Sequence, residues 1–297
     1  MRSSLLTIAL LSLAGLVAAA PDLDESYTKL KAAVEKKDAE GVKAAAAETN
    51  KEAMALVNAP KPADAEEAKN WEERVKYGKE VSAYTEYALA STAMQSSDPA
   101  KTIELVDALI AQNPKSKYLD ELCANAYLIA LGKSGGTAKQ GEGMAKIAAG
   151  RPDNVVALNA LIEARPQTAA ANAGKLLTAA RKPKPEGIPE AEWEKMKNSA
   201  LANGYFYTGF TAGQRQSWKD CDSNLKSALP LLDAGRQGAA YFSLGICNYQ
   251  LGKLTNDRSR MQQGQQFMEK AASMKGQYQD QAYRQNLAMK QELATRR

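Results

Sequence analysis

Apolar residues recur along this chain at the three- and four-residue spacing of amphipathic α-helices. Proline, glycine, asparagine and aspartate interrupt this pattern and leave runs of about 12 to 18 residues, an ordinary helix length. The predicted helices are 22–37, 39–57, 64–96, 99–112, 116–132, 138–149, 153–164, 167–182, 189–213, 216–233, 236–252, 257–275 and 277–295. The pattern therefore predicts an all-α protein.

Local signals mark several of the predicted helix starts. Asp98 precedes Pro99, which places a capping carboxylate before a proline in the first turn, and Asp64 with Glu67 resembles a capping box. The helix at 64–96 is unusually long, and its apolar and small residues step by four and three. One face of this helix is therefore predicted to stay buried along much of its length.

Two segments in the last third of the chain repeat one another. In each, aromatic residues precede a glycine, and Gly209 and Gly245 stand 36 residues apart. The shared marks are Tyr205, Phe206, Gly209, Trp218, Leu225 and Ala228 in the first, and Tyr241, Phe242, Gly245, Tyr249, Phe267 and Ala271 in the second. Both segments resemble the tetratricopeptide repeat (TPR), a helix–turn–helix of about 34 residues. Weaker matches extend the resemblance over most of residues 22–275.

The resemblance implies a right-handed α-solenoid of antiparallel helix pairs, with residues 20–297 forming a single array. The long helix near the N-terminus belongs to this array, and helix 277–295 is expected to cap its end. A bend or sub-boundary is expected at 183–189, where prolines and a glycine cluster. Gly209 and Gly245 are expected at close helix crossings, because small residues let paired helices approach. An irregular helical bundle is the alternative architecture.

The first residues have the layout of a secretory signal peptide. Arg2 precedes an apolar run from Leu5 to Val17, and small residues follow it. We place the signal at residues 1–19, with cleavage after Ala19, and the alternative is an uncleaved N-terminal anchor. No later stretch approaches the ~20 apolar residues of a membrane helix. The mature protein is therefore expected to be periplasmic or secreted, without an integral membrane segment.

Composition removes several kinds of chemistry. The chain contains no histidine, which excludes histidine-activated nucleophiles and the commonest zinc ligand. Its carboxylate pairs, such as Glu72 with Glu73, lie on predicted Lys-rich helix faces rather than across a cleft. The net charge of +5 is mild, and export makes nucleic acid an unsuitable partner. We therefore predict no catalytic residue, metal or cofactor.

The chain has three cysteines: Cys123, Cys221 and Cys247. Cys221 and Cys247 are expected at similar heights on antiparallel neighbouring helices, so a disulfide between them is one alternative. The other is a pair of separate buried thiols, which is the interpretation we favour because free cysteines often belong to the core.

The resemblance also implies a binding surface, since the first helix of each TPR pair lines the concave face where extended peptides lie. The groove-facing residues predicted from it are Tyr84, Tyr87, Tyr118, Asn125, Asn203, Phe206, Phe210, Phe242, Ile246 and Tyr249. The basic clamp with which some TPR domains hold a carboxylate is largely missing. Alternatively, these residues pack against helix 64–96 or helix 277–295.

The sequence thus favours an exported scaffold that binds a protein or peptide of the cell envelope and performs no catalysis. A glycan-binding protein or cell-wall enzyme with a superhelical or toroidal body is the alternative. A subunit whose surface is buried in its own oligomer is a third interpretation.

Overall fold

The computed structural model describes residues 23–165 and 168–295, and this part of the chain is all-helical, without a β-strand. The predicted signal segment, residues 1–19, lies outside the described residues. By the density of their internal packing the residues fall into two compact units, which divide between Asn113 and Pro114.

The first unit contains four helices: α1 (Leu23–Glu35), α2 (Ala39–Val57), α3 (Ala65–Gln95) and α4 (Pro99–Gln112). The main packing contacts join helices that are consecutive in sequence. The two predicted starts are confirmed, because Asp64 accepts hydrogen bonds from the backbone N–H groups of Glu66 and Glu67, and Asp98 accepts one from Ala100. These bonds satisfy N–H groups that the first helical turn leaves unpaired.

The long helix α3 keeps one face against its neighbours, as its periodicity predicts. Val75, Val81 and Leu89 are buried along it. At Gly78 the backbone of α2 comes so close that an added Cβ would lie 2.9 Å from the carbonyl oxygen of Ala53. The glycine therefore permits a close crossing of two helices.

The second unit contains the remaining helices. They are a π-helical turn (Leu119–Cys123), α5 (Ala124–Gly150), α6 (Val155–Ala164), α7 (Ala169–Ala180), α8 (Glu190–Gln214), α9 (Trp218–Ala228), a 3₁₀ turn (Leu229–Leu231), α10 (Ala234–Thr255), α11 (Arg258–Ala272) and α12 (Gln279–Thr295). The backbone of α5 leaves helical geometry at Gly135 and Gly136. This break lies between the two helices predicted at 116–132 and 138–149.

The helices α10 and α11 pack in opposite directions. Along α10 and α11, Gly245 contacts Met268 whereas Gly252 contacts Met261, so the two helices are antiparallel. An added Cβ at Gly245 would lie 2.9 Å from Met268 Cε. At Gly209 it would lie 2.7 Å from Leu225 Cγ. Both glycines therefore sit at close helix crossings, which confirms that prediction.

The proline-rich segment 183–189 lies inside the second unit, so the division between the units falls elsewhere. Gly187 has φ of +81°, a left-handed conformation that glycine adopts without strain. Ile188 is buried in the core beside α7, and its carbonyl accepts a hydrogen bond from Lys184 at 2.7 Å. This segment therefore packs as a turn between α7 and α8.

Candidate functional site

An apolar cleft opens in the second unit where α8, α10 and the start of α12 meet, with the first residue of α9 at its edge. Its volume is about 280 Å³. The residues that line it are Phe210, Gly213, Gln214, Trp218, Phe242, Ser243, Ile246, Cys247, Tyr278 and Gln281. Phe210, Phe242 and Ile246 belong to the groove predicted from sequence, and the structure brings these three together.

Stacked aromatic pairs form two walls of the cleft. On α8, Phe210 stacks on Phe206 with ring centres 6.0 Å apart and planes 18° apart. Across from it, Phe242 of α10 stacks on Tyr278 at 5.0 Å and 25°. Because Phe206 and Phe242 are themselves buried, each anchors its more accessible partner. The aromatic walls are thus held in place by the core.

The cleft is electrically neutral. Its lining contains no Lys, Arg, Asp or Glu, and its polar groups are the side chains of Gln214, Ser243 and Gln281, the indole N–H of Trp218 and the hydroxyl of Tyr278. Gln214 and Gln281 are solvent-exposed, which leaves two amide groups at the rim of an otherwise aromatic and aliphatic surface. Such a surface suits an uncharged apolar group flanked by hydrogen-bonding groups.

A disulfide between Cys221 of α9 and Cys247 of α10 lies beside the cleft. The expectation of two separate thiols was therefore wrong. The antiparallel packing of α9 and α10 brings the two Cα atoms to 6.2 Å, within the range that a disulfide spans. Both cysteines are almost fully buried.

Four of the predicted groove residues are buried, which corrects that part of the prediction. Asn203, Phe206, Phe242 and Tyr249 are 0%, 8%, 6% and 4% exposed, and of these only Phe242 also lines the cleft. Phe206 belongs to the core formed by α8, α9 and α10. Tyr249 packs against α12 and donates a hydrogen bond to Glu292 at 3.0 Å. The helix α12 thus covers part of the predicted groove, because the buried face of α12 needs an apolar partner.

The buried Asn203 joins three helices through its side-chain amide. Its Nδ2 donates hydrogen bonds to Asn159 at 2.7 Å and to Glu163 at 3.0 Å, both on α6. Its Oδ1 accepts a hydrogen bond from Arg236 of α10. Since all of its polar atoms are used inside the protein, Asn203 positions helices rather than a ligand.

The other predicted residues lie away from the cleft. In the first unit, Tyr84 packs edge-on against Tyr27 at 5.2 Å and beside Tyr87 at 6.0 Å. Burial and these two neighbouring phenols raise the pKa of Tyr84. In the second unit, Tyr118 is half-buried and Asn125 is exposed. Neither lines the cleft.

Sequence reasoning missed Trp218, Tyr278 and the two glutamines of the lining. It considered only the first helix of each TPR pair, whereas Trp218 begins α9 and Tyr278 precedes α12. Both positions are aromatic: Trp218 directly follows the turn at 215–217, and Tyr278 is the last residue of the turn at 273–278. That pattern was the available signal.

A second cleft of about 270 Å³ lies beside the 183–189 turn, but its charges are already paired. Arg151 donates to Asp120, which also accepts a hydrogen bond from Asn154 at 2.6 Å. Lys182 pairs with Asp153 at 2.5 Å. These bonds hold the turn and leave little unsatisfied charge for a ligand.

Within residues 23–165 and 168–295, no group of three or more Cys, Asp or Glu side chains is arranged to hold a metal ion. In the same ranges, no helix is both long and apolar enough to cross a membrane.

Cys123 is a buried free thiol, and burial raises its pKa to about 12. Protein-family models, curated proteins and solved structures gave no match to this chain.

Proposed function

We propose that this chain is an exported TPR-like scaffold whose neutral cleft binds one apolar side chain of an extended segment of a cell-envelope protein. The observation that carries the proposal is the meeting of Phe210, Phe242, Ile246, Trp218 and Tyr278 around one accessible volume. The proposed role is binding, without catalysis.

Two features support the repeat organisation in this proposal. Gly209 and Gly245 occupy corresponding positions at two close crossings, α8 on α9 and α10 on α11. The cleft then lies among α8, α10 and the start of α12, which would be first helices of successive pairs. In the tetratricopeptide family such helices line the concave surface. The N-terminal pattern of Arg2 and an apolar run supports export.

The dimensions of the cleft favour a side chain as its occupant. Pockets for small-molecule ligands usually measure roughly 300–1,000 Å³. A cleft of about 280 Å³ lies just below that range and accommodates a single large side chain. Anchors of this kind, an aromatic or aliphatic residue in a desolvated pocket, dominate the energy of many protein interfaces. Gln214 and Gln281 at the rim can exchange hydrogen bonds with the backbone of the bound segment.

Trp218 makes the proposal directly testable, because its indole N–H gives its own signal in a proton–nitrogen correlation spectrum. The chain has three tryptophans, and Trp71 and Trp193 do not line this cleft. Adding N-acetyl-L-phenylalaninamide should shift the Trp218 indole signal and leave the other two in place. For a ligand of this size we expect an affinity of about millimolar strength.

Two substitutions on the same helix provide a matched comparison. Ile246→Gln changes the cleft wall, whereas Leu254→Gln changes a residue that is 73% exposed and outside the cleft. We expect the first to abolish the titration of the Trp218 signal and the second to leave it unchanged. A titration that survives Ile246→Gln, or the absence of any shift in the wild-type protein, would contradict the proposal.

N-acetylglucosamine serves as the competing probe. If it shifts the Trp218 signal and the phenylalanine derivative does not, the cleft binds a glycan and the peptide proposal fails. Export has its own test, since Met1 retained on protein recovered from the periplasm or medium would exclude a cleaved signal.

A further inference from the structure

The disulfide lies where three helices meet at the cleft. Cys221 belongs to α9, Cys247 belongs to α10 and lines the cleft, and Gly213 of α8 lines the cleft on the other side. A Cβ added at Gly213 would lie 3.2 Å from the sulfur of Cys221 and 3.5 Å from the sulfur of Cys247. The backbone of α8 therefore packs directly on both sulfur atoms.

A second contact joins α9 and α10 at the same height. Asp222 and Asn248 each follow one of the bonded cysteines, and Asn248 Nδ2 donates a hydrogen bond to Asp222 at 2.7 Å. Both residues are buried, and Lys226 pairs with the same carboxylate. The oxygen Asn248 Oδ1 is buried without a hydrogen-bond partner among the described residues. This polar contact thus leaves one buried group unsatisfied. Without the disulfide, it is therefore a weak link between α9 and α10.

We propose that the Cys221–Cys247 disulfide holds the cleft in the shape that accepts an apolar side chain, so that binding requires the oxidised protein. This inference rests on the proposed function of the same cleft. Two thiols cannot approach as closely as two bonded sulfur atoms, because their van der Waals surfaces repel. With α8 already in contact with both sulfurs, reduction displaces at least one of α8, α9 and α10, and each of these helices contributes lining residues to the cleft.

The chemical step is a thiol–disulfide exchange with a dithiol. One thiolate of the dithiol attacks a cysteine sulfur and forms a mixed disulfide, and its second thiol then closes the dithiol into a cyclic disulfide. The dithiol loses two electrons and two protons, and Cys221 and Cys247 become thiols. The buried position of both sulfurs means that exchange is slow and follows local opening of the helices.

The test repeats the N-acetyl-L-phenylalaninamide titration on oxidised protein, on protein reduced with dithiothreitol, and on the double variant Cys221→Ala/Cys247→Ala. We expect the affinity measured at Trp218 to fall at least about tenfold on reduction of the wild-type protein. The double variant has no thiol pair that could repel, so it should bind the probe equally with and without dithiothreitol. The Trp193 signal reports the core formed with α6 and α7 and should keep its position. Circular dichroism should show unchanged helix content.

Each outcome has one interpretation. Equal affinity in the oxidised and reduced wild-type proteins overturns the inference and leaves the proposed function intact, as does a loss of affinity that dithiothreitol produces in the double variant as well. Loss of the Trp193 signal or of helix content on reduction also overturns it, because the disulfide would then stabilise the whole unit rather than the cleft. If the oxidised protein does not bind the probe, the proposed function itself fails.

Discussion

The crossing of α10 and α11 provides the sharpest test of the packing. Gly264 lies in the middle of α11, and a Cβ at this position would meet backbone atoms of α10. It would lie 2.5 Å from the amide nitrogen of Tyr249 and 2.8 Å from the carbonyl oxygen of Gly245. Backbone atoms cannot rotate away as a side chain can, so Gly264→Ala forces the two helices apart.

The size of the effect follows from two opposing contributions. Overpacking of a core typically destabilises by about 1–3 kcal/mol. Alanine in place of glycine within a helix stabilises by roughly 0.5–1 kcal/mol. The two ranges leave a net loss between about 0 and 2.5 kcal/mol. Because the clash is with backbone atoms, we expect Gly264→Ala to lower the free energy of unfolding by about 1–2 kcal/mol. Gly174 is the matched control, because it lies inside α7 and a Cβ there meets no atom within 4 Å. Gly174→Ala should stabilise by roughly 0.5–1 kcal/mol.

Both glycines belong to the second unit, so both substitutions change the melting temperature of the same unit, which circular dichroism measures. The melting temperatures of the two variants should differ by roughly 3–12 °C, with Gly174→Ala the higher. If both substitutions raise the melting temperature equally, α10 and α11 are not in backbone contact at Gly264 and the described crossing is wrong.

Two further predictions concern titratable groups. Asp233 caps α10, and its hydrogen bonds with Arg236 lower the pKa of its carboxyl below the ordinary value. Its contribution to the free energy of unfolding is therefore present at neutral pH and is lost as the pH falls through the lowered pKa. Asp233→Ala should cost about 1 kcal/mol at neutral pH in urea unfolding, whereas Asp233→Asn should cost less because asparagine also caps; equal losses would contradict the capping role. Cys123 should resist alkylation by iodoacetamide at about pH 8 in the native protein and react after unfolding, because burial raises its pKa to about 12; rapid native labelling would refute its burial.

Much of the helical framework could be read from the sequence, because its signals are local. Spacing of apolar residues and punctuation by Pro, Gly and Asp placed most helices within a few residues of their observed bounds, although α5 begins at Ala124 rather than at 116 and α9 ends at Ala228 rather than at 233. The capping roles of Asp64 and Asp98 and the close crossings at Gly209 and Gly245 were predicted for the same reason. A cap or a small residue has the same physical effect wherever the helix packs.

The candidate site was only partly predictable. Periodicity places Phe206, Phe210 and Phe242 on suitable helices, but it does not say which of them a later helix covers. Phe206 is buried in the core, Phe242 is buried against Tyr278, and Phe210 remains partly accessible. The difference depends on how α12 and the segment before it pack, which is a long-range contact.

The sequence by itself thus determined the all-helical class, most of the helix bounds and the absence of histidine chemistry, since these depend on residue type and on neighbours within a few positions. Only the tertiary structure decided that Cys221 and Cys247 are bonded, that Tyr249 is covered by α12, and that Trp218 and Tyr278 complete the cleft. Those outcomes require the distance and orientation between helices. Side-chain packing across the whole unit sets both quantities, and the local pattern does not contain them.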